Sequence, residues 1–269
     1  MALLRNLRNI VKANPRNIED VWSVIENQER VRKSKQLPFR FLAAYESISD
    51  IAGSRAFDAL ENAVDVAVEN IGKLPGTTVI AVDTSGSMGN PVSAKSEIRC
   101  YEIGMMLGLL ANKICENSIF YTFDTQIVKQ SVSKRNGILF TVTHSRGAGG
   151  GTNMSLPFQR MIDEKIKADR IIVISDNECN SGRSLYTNKT VQSLADQYRN
   201  ITHNDIWVHA IDLQGYGTQQ FRGRKTNIIA GWSEKVLDFI KLAENGESTL
   251  ERTINEYNYK MFSATNIQD

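Results

Sequence analysis

The chain has 269 residues, 41% of them hydrophobic and 23% charged, with a formal net charge of +2. That is ordinary globular material, long enough to bury a full core in one large α/β domain with a smaller appendage, and no apolar run reaches the length of a transmembrane helix. The charge is uneven: residues 1–40 carry nine Lys or Arg against four Asp or Glu, a local +5 that leaves −3 for the rest.

From residue 1 to about 73 the pattern is helical. Ile18, Val21, Trp22 and Ile25 fall at i, i+3, i+4 and i+7, and Phe57, Leu60, Val64 and Ile71 repeat that spacing. Pro15 and the QLPF segment at 36–39 punctuate these amphipathic helices, because proline and the residue before it disfavour helix continuation. The start, MALLRNLRNIVK, scatters its positive charges instead of placing them ahead of an apolar core, so it is not read as a secretory leader.

After residues 74–76 apolar runs alternate with helical segments. The predicted strands are TTVIAVD (77–83), SIFYTFD (118–124), GILFTVTH (137–144), RIIVISD (170–176) and DIWVHAID (205–212). Several are apolar throughout, as strands covered on both faces are. The predicted helices are SEIRCYEIGMMLGLLANKI, MSLPFQRMIDEKIKA, TVQSLADQYRN and WSEKVLDFIKLAE. Such alternation predicts an α/β fold with a doubly wound, mainly parallel sheet flanked by helices. The expected division is a helical segment over 1–73 and an α/β domain over 74–269 with a C-terminal helical tail.

Cys100, Cys115 and Cys179 show neither metal-type CxxC spacing nor a pairing pattern. They are expected to be buried free thiols, which together with the absent transmembrane run suggests a cytoplasmic protein. His144, His203 and His209 share no motif, and His209 is expected to pack in the core.

The stretch AVDTSGSMGN (81–90) places Asp83, Ser85 and Ser87 where a strand ends. A turn explains the residue types but not their alternation. In an open parallel sheet, ligands bind beyond the carboxyl ends of the strands. Asp83 and Asp176 each end a predicted strand, and the loop RGAGGGTNMS (146–155) brings Thr152 to a helix start at the same edge. Two carboxylates and three hydroxyls converging there form a hard-oxygen set suited to Mg²⁺ or Mn²⁺. Its incompletely neutralised charge would attract an external carboxylate or phosphate.

DTSGS (83–87), GGT (150–152) and SD (175–176) resemble the metal-ion-dependent adhesion site of von Willebrand factor A domains, a Rossmann-like fold. That resemblance carries over Asp83, Ser85, Ser87, Thr152 and Asp176 as the metal ligands. A narrower resemblance covers nearly the whole chain. MALLRNL (1–7), LPFRFLAAYE (37–46), IAVDTSGSM (80–88), AGGGTNMSLP (148–157) and VISDNE (173–178) are similar to the C-terminal half of the Ro autoantigen family.

Members of that family join a ring of HEAT-like helix pairs, the TROVE module, to an A domain, and bind small Y RNAs and misfolded noncoding RNAs. The resemblance implies a metal-dependent binding protein of ribonucleoproteins; with no apolar run of transmembrane length and no Ser-His-Asp or Cys-His set, neither a membrane partner nor enzyme activity is expected. Only the last helical pairs before the A domain are matched here, so a ring is not expected to close within this chain. The basic run ERVRKSKQLPFR (29–40), with Arg30, Arg32, Lys33, Lys35 and Arg40, is either an RNA phosphate patch or a solvated helix face. A protein ligand presenting a carboxylate to the metal, without RNA, is the other open reading. An aspartyl phosphotransferase would need a second acid two residues after Asp83, where Ser85 stands.

Overall fold

The computed structural model describes residues 2–93, 96, 98–133, 135–145, 147, 149–176, 190–215, 221–233 and 235–246. Cys179 and the expected helical tail beyond residue 246 lie outside them. The chain divides into two compact units, residues 1–234 and 235–269; the second contains one described helix, Lys235–Glu244.

Six short helices begin the chain: α1 (Ala2–Arg5), α2 (Leu7–Ala13), α3 (Ile18–Ile25), α4 (Gln28–Ser34), α5 (Pro38–Ser47) and α6 (Ser54–Glu69). Local chemistry sets their ends. Asn27 caps α4 by accepting from the Arg30 N–H, and α5 starts with Pro38, whose missing N–H is no loss in a first turn. The amphipathic α6 packs against α3, α4 and α5.

Among the described residues the sheet has six strands, in the order β3-β2-β1-β4-β5-β6. They are β1 (Leu74–Asp83), β2 (Cys115–Phe123), β3 (Ile127–Gln130), β4 (Arg170–Ser175), β5 (Trp207–Asp212) and β6 (Thr226–Ala230). All neighbours run parallel except β2 and β3, which pair antiparallel. Val79, Ile80, Ala81 and Val82 of the central β1 are all buried, which accounts for its unbroken apolarity.

Both faces are covered. On one, Val79, Ala81, Tyr121, Phe123, Ile171 and Val173 share a core with Phe158 and Met161 of α9 (Leu156–Asp163) and Leu194 and Tyr198 of α10 (Val191–Thr202). On the other lies α7 (Cys100–Ile114), apolar on nearly every side. Gly104 and Gly108 let α7 sit close: a Cβ on Gly108 would lie 2.7 Å from Val82 and 2.9 Å from Phe120.

The predicted strand at 137–144 is instead a helix, α8 (Ile138–His144). Its branched and aromatic residues suggested a strand, but the burial has helical spacing: Ile138, Leu139 and Val142 are buried while Phe140 is 56% exposed. The Thr141 and Thr143 hydroxyls donate to the carbonyls of Gly137 and Leu139, four residues back. The half-buried Glu61 of α6 caps the start, accepting from the N–H groups of Leu139 at 3.2 Å and Phe140 at 2.6 Å. Tertiary partners therefore override strand propensity here. The two edge strands, β3 and β6, were not predicted, because they are short and largely exposed. His209 is fully buried, stacked on Trp207, as expected of a core residue.

Candidate metal centre

Register brings the first two elements of the site together. Val82 pairs with Ile174, so the next residues, Asp83 and Ser175, lie level at the carboxyl edge of β1 and β4. Asp83 is fully buried there, and Asp176 follows β4, also buried.

The alternation in DTSGS has a local cause. Asp83 Oδ1 accepts the Ser85 N–H at 2.8 Å, turning the chain over the strand end, and a 3-10 turn over Ser87–Gly89 follows. Ser85 and Ser87 then stand on the same side, their Oγ atoms 3.4 Å apart. Thr152 donates to Ser85 Oγ at 2.8 Å from the glycine-rich loop. Two backbone bonds fasten that loop: Gly86 N–H to the Gly150 carbonyl at 3.0 Å, and Gly149 N–H to the Thr84 carbonyl at 3.2 Å. Gly149 and Gly150 both have φ of +83°, a region that favours glycine.

All five residues expected from the sequence thus reach one sheet edge. Ser175 was not singled out, although it stands in the SD pair; its hydroxyl donates to Asp83 Oδ2 at 2.6 Å. Asn153 is a second omission. It is buried, its side-chain oxygen accepts from the N–H and hydroxyl of Ser155, and its N–H donates to the Asp124 carbonyl, which anchors the chain just after Thr152. No sequence signal separates such anchors from ordinary turn residues.

Burial raises the Asp83 pKa to about 6; hydrogen bonds from Ser175 and Ser85 oppose the shift, and the nearby Asp176 charge adds to it. Among the described residues no Lys or Arg forms an ion pair with Asp83. A buried carboxylate in that state is costly unless a cation neutralises it. No three His, Cys, Asp or Glu residues cluster in the described part of the chain, so any cation here relies on the hydroxyls. The donor set is all oxygen, which fits Mg²⁺ or Mn²⁺ and not a nitrogen- or sulfur-preferring ion.

The basic run of α4 is different. Arg32 pairs with Glu69 at 2.8 Å and Lys33 with Glu29 at 2.6 Å. Arg30, Lys35 and Arg40 form no ion pair among the described residues.

Residues 77–241 match the Ro60 vWA domain family model. The chain belongs to this Ro family. Residues 1–55 match the TROVE domain model. The Ro protein of Deinococcus radiodurans superposes with a TM-score of 0.69 at 18% identity, over 88% of this chain and 52% of that one. This Ro-family chain thus spans about half the length of that relative, and the likeness speaks for the fold. An aerotolerance-related membrane protein from Bacteroides fragilis covers 61% of the chain at 14% identity with a TM-score of 0.43, too distant to carry an argument. No curated protein matches the chain. No helix among the described residues is long and apolar enough to cross a membrane.

Proposed function

We propose that this chain is an RNA-associated binding protein of the Ro type whose A domain captures an acidic group through a divalent cation, without catalysis. The observation that supports it is the convergence of the buried Asp83 and Asp176 with the hydroxyls of Ser85, Ser87 and Thr152 at the carboxyl edge of the sheet. In that reading the two carboxylates hold Mg²⁺ or Mn²⁺ and the hydroxyls orient it. The cation, when bound, supplies uncompensated positive charge for a carboxylate or phosphate of the partner. Ser175 fixes the rotamer of Asp83, and the glycine loop keeps Thr152 in place.

RNA association rests on the joint presence of TROVE and A-domain matches, and small Y-RNA-like or misfolded noncoding RNA is the proposed partner class. One observation favours a second reading, a protein-only scaffold. Arg32 and Lys33 of the basic run are already paired with carboxylates, which removes part of the charge available to phosphates.

Capture from cell extract with and without chelator, using the intact chain and Thr152→Ala, tests both. Loss of an acidic protein partner in chelator and in the variant supports the metal-mediated capture. Recovery of every partner regardless of chelator removes the metal from the mechanism, and absence of RNA under all conditions leaves the scaffold reading.

A further inference from the structure

A cleft of about 540 Å³ opens between the end of β3 and α8, lined by none of the residues assigned above. Two aromatic rings line it. Phe140 and His144, one turn apart on α8, stack with centroids 3.9 Å apart and planes at 22°. His144 Nδ1 lies 2.9 Å from the Phe140 carbonyl and 3.2 Å from the Thr143 hydroxyl. A carbonyl only accepts, so Nδ1 carries the hydrogen in that contact. The imidazole is therefore held in one orientation.

Exposure of the pair is unusual for its setting. Phe140 is 56% exposed although its helix is fixed at both flanks, by Glu61 at the start and by buried Leu139 and Val142 beneath. The rest of the cleft is suited to hydrogen bonding. Gln130 donates one of its two amide hydrogens to Thr122 at 2.8 Å, which leaves its oxygen as an acceptor, and Asn136 offers both functions. Glu61, which caps this helix, is occupied by backbone N–H groups and not presented as a free charge.

An exposed ring on a packed helix, with two amides lining the same cleft, offers what an unpaired nucleobase requires: a face to stack on and partners for its polar edge. We propose that this cleft is a nucleobase-stacking subsite for single-stranded RNA, with Phe140 as the platform. It rests on the RNA reading above, and places an RNA contact on the A domain instead of on the basic helix.

Fluorescence anisotropy of a labelled 12-residue oligoadenylate and of an abasic oligomer with the same phosphates tests it on the full chain. Phe140→Ala is expected to weaken oligoadenylate binding by roughly 5- to 100-fold, while Phe140→Trp retains it and abasic binding does not change. Because the ring is exposed, thermal unfolding of Phe140→Ala should match the parent. Equal oligoadenylate affinity in parent and Phe140→Ala overturns the subsite while leaving RNA association standing. Failure of the parent to bind either oligomer at low salt overturns both. Self-association of the parent, abolished by Phe140→Ala in sedimentation, also overturns the subsite, since the cleft is then filled by a second copy.

Discussion

Ser175 donates its hydroxyl hydrogen to Asp83 across neighbouring parallel strands at 2.6 Å, while Asp83 takes the Ser85 N–H on its other oxygen. Both carboxylate oxygens are thereby oriented before any cation arrives. Removing a partner that orients a metal ligand commonly weakens metal binding about 10- to 100-fold. Ser175→Ala is accordingly expected to lower Mn²⁺ affinity by roughly 10-fold in calorimetric titration, and Asp83→Ala to abolish it with the sheet intact. Unchanged affinity in Asp83→Ala would remove the assignment.

Protonation of Asp83 gives the metal-free protein a pH dependence of definite sign. Its pKa is raised from 3.8 to about 6 by burial, so between those values the folded chain holds a proton that the unfolded chain has lost. The resulting stability is present in full below pH 4 and is lost as pH rises through about 6, at most about 3 kcal/mol by linkage. The metal-free chain should unfold at a higher temperature at pH 5 than at pH 7.5, by more than Asp83→Asn does. Saturating Mn²⁺ should reverse the trend, because the cation needs the ionised carboxylate. Thermal scans of both proteins at the two pH values decide the matter.

The close seat of α7 on the sheet makes Gly108 sensitive. An added methyl would press on the buried Val82 and Phe120, neither of which has room to move. Overpacking of this kind destabilises by about 1–3 kcal/mol, so Gly108→Ala should lower the urea midpoint clearly, whereas Gly53→Ala, with open space around it, should not.

Glu61 ties the helical segment to the A domain by capping α8. Loss of a cap costs about 1 kcal/mol, and Glu61→Ala is expected to show that loss in chemical unfolding together with faster amide exchange at Leu139 and Phe140. Unchanged exchange at those two amides would show that α8 stands without the cap.

How far the chain could be read from its residues followed the origin of each feature. Buried parallel strands such as β1 and β4 announce themselves through unbroken apolar runs, and DTSGS announces the strand end because the Asp83 turn is local. What stayed hidden depends on distant partners. The helix over 138–144 needs Glu61, 78 residues away from Leu139, and the role of Ser175 needs the register of β4 on β1. The pairing of Arg32 with Glu69 likewise could not be foreseen from charge counts, since it depends on how α4 meets α6.

That pairing bears directly on the basic run. Arg32 and Lys33 are engaged by Glu69 and Glu29, although such exposed pairs are worth only about 0–1 kcal/mol and can be exchanged for phosphates. Arg30 and Lys35, with no ion pair among the described residues, would contribute first. Each phosphate neutralised adds roughly one unit to the salt slope of binding. A quadruple alanine variant at Arg30, Arg32, Lys33 and Lys35 should therefore lower filter binding of a structured small RNA and flatten its salt dependence by two to four units if α4 lies on RNA, about two arising from Arg30 and Lys35 alone. The double variant Arg30→Ala, Lys35→Ala separates the contributions. Equal retention and equal salt slopes in parent and quadruple variant would show that α4 is a solvated face, and that the RNA contacts of this chain lie elsewhere.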